Sequence, residues 1–391
     1  MERVYLDNAA TTPLSACAAA AMEPYLKPGV QAPFGNANSL HTPGREAFSV
    51  LEDCRVRVAR ALSARRPDEV IFTSGATEAD NAAVIGIALA ERERRALQGR
   101  HEAGHVVLSR IEHDAVLHCE GPLKRLGFAV DFVECDASGH VSAEALAAVM
   151  RDDTVLASVM AVNNEIGSVM DTAALAHAAH ERKALFHVDA VQALGKVPVD
   201  VQRFGADAAS FSAHKVGGPK GVGVLYLKAR TPFSPLLVGG GQEGGLRSGT
   251  QNVAGIVGAT AAIEHAVAEQ PAFSPRAAAW RDELYERLGA LPRVVAAVAP
   301  DRAQGAYAPH IVSVCVRGME SQSIILQLDM RGICVSGGSA CSSQSLDPSH
   351  VLAALQVQRN LAQGLIRVSF GEYTRRCDID AFLAAFEEVV A

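Results

Sequence analysis

The sequence predicts an α/β protein: a large domain with a mainly parallel sheet, and a smaller α+β C-terminal domain. Three observations carry this. Short apolar runs alternate with longer helical stretches between residues 70 and 227, the pattern of βαβ units. Polar clusters recur just after successive apolar runs: Ser74 to Thr77, Glu112-His113, Asn163-Asn164-Glu165, Asp189 to Gln192, and Ser212 to Lys215. After Tyr226 the texture changes to the Gly-rich VGGGQEGGLRSGTQN, then to a region with strands and helices of its own. Ligands of parallel sheets bind beyond the carboxyl ends of the strands, where these clusters fall.

The elements follow in order. Residues 1–13 form a short extended arm, and residues 15–30 an Ala-rich helix broken by Pro24 and by Pro28-Gly29. After the turn-rich PFGNANSLHTPG, an amphipathic helix is predicted over 44–62 and a buried strand over 70–73. Strands follow over 106–109, 129–133 and 155–160, with helices over 115–126 and from Ser142. Two further strands end at Asp189 and Phe211. A helix over 253–268 leads to the smaller domain, which begins near Pro271. That domain has predicted strands over 310–316 and 365–370 and helices over 322–331 and 378–390.

At 391 residues, with 49% hydrophobic and 20% charged residues, the chain suits two domains or one large domain with an appendage. A net charge of −7 argues against a broad nucleic-acid surface. No apolar run is long enough to span a bilayer, and MERVYLDNAATTP lacks the basic-then-apolar pattern of a signal peptide. The expectation is a soluble, cytoplasmic protein. The eight cysteines form no C-x-x-C pair and are too scattered for a disulfide framework. Reduced thiols follow, most of them small buried hydrophobes.

The stretch 185–223 organises the rest. One apolar segment ends in Asp189, and the next runs into Ser212, His214 and Lys215. Pyridoxal phosphate (PLP) needs such a pair: a lysine to hold its aldehyde as a Schiff base, and a carboxylate to keep its pyridine nitrogen protonated. The plainer alternative is an exposed lysine in a basic turn and an aspartate capping a helix. Similarly, Ser74 to Asn81 opens a helix with small residues and hydroxyls. It suits a phosphate at the helix N-terminus or an ordinary N-cap at Ser74 or Thr77.

With these residues in view, the chain resembles the cysteine desulfurases, PLP enzymes of the class V aminotransferase superfamily with the fold-type I architecture. VYLDNAATTP, FTSGATEADN, SRIEHDAVL, MAVNNEIG, HVDAVQALGK, SFSAHKVGGPKGVG, GGGQEGGLRSGTQN and VSGGSACSSQSLDPSHVL match in order over nearly the whole length. The cysteine stretch is similar to the iron–sulfur-cluster and nitrogen-fixation branch. The family wording is broken at GNANSLH, at Gly244 in QEGG, where arginine is frequent, and at NNEIGSVMD.

The resemblance implies roles residue by residue. Lys215 holds the cofactor, Asp189 pairs with its pyridine nitrogen, and His113 stacks on its ring and moves protons. Asn164 and Gln192 touch ring substituents. Ala76, Thr77, Ser212, Ala213 and His214 form the phosphate cup. Thr250 reaches the phosphate of the other subunit, implying a homodimer with shared active sites. Arg367 and Asn164 bind the substrate, Arg367 gripping its carboxylate. Cys341 is the nucleophile that takes sulfur from L-cysteine as a persulfide, leaving L-alanine. The chemistry independently asks for an accessible, mobile thiol, and Cys341 sits among Gly337, Gly338, Ser339, Ala340, Ser342 and Ser343. The implied domains are 14–262, which binds PLP, and 1–13 with 263–391, which carries the cysteine. The implied partner is a sulfur acceptor such as an iron–sulfur scaffold protein. Alternatives are a selenocysteine lyase or other class V PLP lyase, and a partner-activated sulfur-transfer platform.

Three further features read as structural. His101 to His105 fits H-E-x-x-H, but that zinc pattern requires a helix, and Gly99 and Gly104 flank or interrupt it. His177 with His180, and the run from Glu91 to Arg95, read as solvated helix faces. No metal is expected.

Overall fold

The computed structural model describes residues 3–298, 306–338 and 349–391. The arm carries β1 (Val4–Tyr5) and is followed by α1 (Ala16–Met22) and α2 (Thr42–Ala61). The large sheet is built from β2 (Val70–Thr73), β3 (His105–Ser109), β4 (Ala129–Val133), β5 (Thr154–Ser158), β6 (Leu185–Asp189), β7 (Ala208–Ser212) and β8 (Gly223–Leu227). Helix α3 (Ala76–Leu97) follows β2. α4 (Asp114–Leu117) and α5 (Glu120–Arg125) follow β3, α6 (Ala143–Val149) follows β4, and α7 (Thr172–Glu181) follows β5.

The strand order is β2-β8-β7-β6-β5-β3-β4. β8 runs against both neighbours, β2 and β7, while the other pairs are parallel. The carboxyl ends of β2 to β7 therefore share one edge. The short 213–222 connection explains the reversal: a parallel return takes a dozen or more residues, usually with a helix. Central strands are buried on both faces, as a helix-covered sheet requires. Phe72, Ala157, Phe186, Phe211 and Val224 pack into one core with α2 residues Leu51 and Val58. Ile71, Val106, Leu108, Leu156 and Leu225 pack on the other face against Ala79, Ala83 and Ile87 of α3.

The C-terminal region has a separate core. An antiparallel sheet, β9 (Val294–Ala296), β10 (Ile311–Val316) and β12 (Leu365–Ser369), packs against α9 (Ser321–Asp329) and α12 (Arg376–Val390). α10 (His350–Ala354) and α11 (Arg359–Ala362) lie between them in the chain. β1 pairs in parallel with β11 (Ile333–Cys334), and Asp7 bridges to Ser369.

The structure departs from expectation at several elements. The helix that begins at Val253 does not end near residue 268: α8 runs from Val253 to Gly289 through Pro271 and Pro275. Each proline in a helix interior costs about 3 kcal/mol. The apolar series Phe273, Ala277, Trp280, Leu284, Leu288 continues at helical spacing past both, and burying it in the second core outweighs that cost. The helix over 115–126 is broken into α4 and α5, with Gly121 and Pro122 in the first turn of α5, where a missing N–H is tolerated. Glu91 and Arg95 are buried, not solvated: Glu91 receives Arg94 through both carboxylate oxygens, and Arg95 reaches the Asp153 carbonyl. His177 and His180 are both exposed, as expected of a solvated face, and His180 Nε2 also lies 2.7 Å from Asp207 Oδ2 at the start of β7. Of the described cysteines, Cys54, Cys119 and Cys315 are buried, Cys17, Cys135 and Cys334 are partly so, and Cys377 is exposed. His101 to Gly104 is not helical, and His105 opens β3. Among the described residues, no helix is long and apolar enough to cross a membrane.

The Gly-rich stretch is pinned by charge. Glu243, 7% exposed, accepts from Arg55 Nη1 at 2.7 Å and Nη2 at 3.1 Å and from the Phe72 N–H at 3.0 Å. Next to it, Gly244 sits at φ 65°, in the left-handed region that favours glycine. Glu243→Ala removes the buried carboxylate from the Arg55 guanidinium and leaves it only the partly exposed Glu52, 3.0 Å from its Nε. The expected loss is about 3–5 kcal/mol of stability in urea titrations; a loss below about 1 kcal/mol would contradict this assignment.

Candidate active site

The carboxyl edge of the large sheet opens into a cavity of about 430 Å³. Lys215, Asp189, His113, Asn164, Gln192, Ala76, Thr77, Ser212, His214 and Arg367 all line it. Ala213 is buried behind the wall, its N–H bonded to the Val222 carbonyl at 3.2 Å, and does not line the cavity. Thr250 is exposed and also lies outside the lining. Cys341 lies outside the described residues.

Each wall has a local cause. α3 starts at Gly75, and no side chain caps it, so neither Ser74 nor Thr77 is the N-cap. Glu78 instead accepts the Ser74 N–H at 2.8 Å and binds Arg247 through two oxygens. The free first-turn N–H groups and the helix dipole face the cavity at Ala76 and Thr77, the arrangement that suits a phosphate. β8 enters beside this turn. A Cβ at Gly223 would lie 2.5 Å from the Gly75 carbonyl carbon, so glycine there is a requirement of close approach.

The arm forms the opposite wall. Lys215 Nζ donates to the Ala9 carbonyl at 2.7 Å and to that of Ala10 at 2.8 Å. Gln192 Nε2 donates to Ala9 O at 2.9 Å, and the His214 ring meets Thr11 Oγ1 at 3.0 Å. Thr12 Oγ1 donates to the His214 carbonyl and accepts the Gly217 N–H. Arg367, 1% exposed, donates to the Asn164 carbonyl at 2.8 Å and to Asp7 Oδ1 at 3.0 Å, while among the described residues its Nε has no hydrogen-bond partner. His113 caps α4: its Nδ1 accepts the Ala115 N–H at 3.1 Å, which puts the ring proton on Nε2.

Beneath the cavity lies a layer of buried titratable groups that sequence reasoning left without roles. Burial raises the Asp189 carboxyl, opposed by His113 when charged, by the Val191 N–H at 2.9 Å and by Lys215. Asp80 is raised well above its ordinary value by burial and by the Asp189 charge, opposed only by a hydrogen bond from Ser210, and among the described residues its Oδ1 has no donor. Asp189 has both a donor and a nearby amine, so it is the carboxyl of this pair that keeps the charge. Burial pushes Glu112 to about 8, although Ser109 Oγ and Met160 N donate to it. It pushes His187 down to about 3, a neutral ring between Ser158 and Ser210. Asp80 could have been suspected from its place in GATEADN; Glu112 and His187 adjoin motif residues but carry no spacing signal of their own.

A mainly parallel sheet, an amine facing a carboxylate at its carboxyl edge and an uncapped helix N-terminus define a fold-type I, PLP-binding class of architecture. The chain belongs to the class-V aminotransferase family, whose description matches residues 4–382. It is 41% identical over 387 residues to the cysteine desulfurase IscS of Dictyoglomus turgidum, covering 99% of this chain and 94% of that protein. A solved NifS-like protein superposes with a TM-score of 0.89 at 36% identity, covering 99% of both chains. A structure described as SspA in complex with cysteine superposes with a TM-score of 0.78 at 31% identity, over 95% of this chain and 99% of that one.

The Glu112 shift has a measurable consequence. Between its ordinary 4.5 and about 8 the folded protein holds a proton that the unfolded chain has released, so this group lowers stability as pH rises. Glu112→Gln removes that dependence. Relative to wild type, the variant is expected to gain stability from about pH 5 to about pH 8, with a limiting slope of about 1.4 kcal/mol per unit. A pH-independent difference in urea midpoints would contradict it.

Proposed function

We infer that the protein is a PLP-dependent cysteine desulfurase that converts L-cysteine to L-alanine and retains the sulfur on Cys341 as a persulfide. The observation that carries this is the convergence of Lys215, Asp189, His113 and Arg367 on one cavity, in a chain similar over nearly its full length to proteins named for that activity.

The residues present fit PLP. The uncapped α3 N-terminus with Ser212 and His214 suits its phosphate, Lys215 its aldehyde and Asp189 its ring nitrogen. A Cβ at Gly75 would enter open space, so glycine keeps that cradle clear. When bound, PLP stores in its ring the electron pair released at the substrate Cα. Lys215 Nζ, held by Ala9 and Ala10, moves the Cα proton. Ionised Asp189 holds the proton on the ring nitrogen, while neutral Asp80 and Glu112 add no competing charge beside it. His113 presents Nε2–H to the cavity as a proton donor, and Asn164 and Gln192 orient the ring. Arg367 receives the substrate carboxylate, with its unpartnered Nε and a guanidinium already oriented by Asp7 and Asn164.

The Cys341 thiolate attacks the substrate Sγ. The Cβ–Sγ bond breaks, its electron pair stays with the carbon product, and the product leaves as alanine after protonation. Glu165 supports this role for Cys341. Ser349 Oγ donates to Glu165, and a Cβ at Gly338 would lie 3.2 Å from the same carboxylate. The described residues on either side of the cysteine stretch, Gly338 and Ser349, thus both meet the neighbour of Asn164.

The reading extends to the assembly. Thr250, exposed and away from its own cavity, is the phosphate contact donated to a second copy in a homodimer. Residues 14–262 form the PLP-binding domain, and 1–13 with 263–391 the smaller one. The separate cores and the pairing of β1 with β11 favour that division. A cytoplasmic sulfur acceptor such as an iron–sulfur scaffold protein takes the persulfide.

Single-turnover reaction of the PLP-loaded protein with L-cysteine tests the reading. Expected are stoichiometric alanine and one extra sulfur on the Cys341 peptide by mass spectrometry, both lost in Cys341→Ser and Lys215→Ala. Alanine without the added sulfur would sink the Cys341 role, and turnover confined to selenocysteine would favour a selenocysteine lyase. Arg367→Ala is expected to raise KM for L-cysteine by roughly 10- to 100-fold, the worth of a charge-assisted contact; an unchanged KM would remove Arg367 from the substrate site.

A further inference from the structure

A second cavity, of about 370 Å³, lies on the far side of the N-terminal arm. That size is within the range of small-molecule sites, about 300–1,000 Å³. Asn8, Thr12 and Pro13 of the arm, with Val216 and Gly217 just after Lys215, form the wall it shares with the active cavity. Apart from Gly195 and Ala266, its remaining lining is titratable or aromatic. None of these groups takes part in the chemistry derived above.

The telling residue is Lys196. It is 8% exposed and lines the cavity, yet among the described residues its ammonium has no hydrogen-bond or ion-pair partner. Its Nζ sits 4.5 Å from the centroid of the Phe273 ring, which lines the same cavity. Burial pushes its pKa down to about 8, with Glu372 the one charge acting the other way. A buried ammonium without an anion is costly, and proteins ordinarily pair it. Arg276 approaches the same ring, its guanidinium carbon 5.9 Å from the centroid, and it too has no carboxylate in ion-pair range among the described residues. Arg276 is exposed and also lies 5.5 Å from the Trp280 ring, so it stands at the mouth of the cavity with the exposed Glu269, Glu372 and Tyr373, and Lys196 is the buried cation within.

The rest of the lining selects among anions. Glu269 and Glu372 line the same space, Glu372 with His265 Nε2 at 3.2 Å. A dianion such as phosphate would be repelled by these carboxylates, and a simple cation by Lys196 and Arg276. A molecule carrying one carboxylate and one ammonium satisfies both sets, and Phe273 and Tyr373 offer apolar surface to a small side chain.

We propose that this cavity binds a small free amino acid as its zwitterion, with the carboxylate on Lys196 and Arg276 and the ammonium toward Glu269 and Glu372. The proposal does not rest on the desulfurase reading, because its test reads occupancy of a different cavity and requires no turnover.

The experiment is a set of parallel soaks of crystals of the PLP-loaded protein in L-alanine, acetate and inorganic phosphate. Lys196→Met and Arg276→Gln are soaked alongside, the second being a conservative change should the first not fold. Expected is L-alanine in the second cavity, its carboxylate within hydrogen-bond distance of Lys196 Nζ. Acetate and phosphate are expected to be absent at the same concentration. In solution, L-alanine should protect Lys196 from acetylation by acetic anhydride, read on its peptide by mass spectrometry. Arg276→Gln should raise the half-protecting concentration roughly tenfold or more. A cavity empty at saturating L-alanine, one filled equally by acetate or phosphate, or alanine occupancy unchanged in both variants would overturn the proposal.

Discussion

The anchoring of Lys215 by the carbonyls of Ala9 and Ala10 is the constraint on which the site depends. An ammonium in a partly buried wall needs acceptors, and the sheet edge that carries Lys215 supplies none of these two. They come from a segment more than 200 positions earlier in the chain. That segment is held by β1 on β11, by the Asp7–Ser369 bridge and by Asn8 Nδ2 on the Ser369 carbonyl. The arm thus joins the carboxyl edge of the large sheet to β12, and β12 also delivers Arg367. The amine and the guanidinium face one cavity because a single extended strand bonds to both neighbourhoods.

Charge in the site is governed by burial as much as by pairing. Asp189, Asp80 and Glu112 could carry three negative charges in one low-dielectric layer, an arrangement that desolvation and mutual repulsion forbid. Protons on Asp80 and Glu112 leave Asp189 as the ionised group, and the neutral His187 ring bridges Ser158 and Ser210 beneath it. The pattern is the usual one for functional sites, where perturbed groups concentrate. The same reasoning applied to Lys196, outside the active cavity, is what marks the second one.

Much of the fold was legible because it follows from local rules. Buried strands read as short apolar runs, the helix expected from Ser142 is α6 with Ser142 as its cap, and the polar clusters after successive strands do line one edge. What was misread depends on partners distant in sequence. Glu91 and Arg95 look like a solvated face until the neighbouring strand connection covers them. Pro271 and Pro275 look like a helix end, and only the second core explains why α8 passes through them.

The sequence by itself determined the class of architecture and the chemical groups at hand: an amine, a carboxylate, an imidazole and a guanidinium at strand ends, and a thiol in a Gly- and Ser-rich stretch. Period, turn residues and motif order are properties of neighbouring positions, and a linear reading captures them. The tertiary structure alone decided which groups share a cavity, which carboxyl keeps its charge, and that Lys196 is buried without a counter-ion among the described residues. Those outcomes depend on desolvation and on pairings across the chain, neither of which is encoded in local spacing.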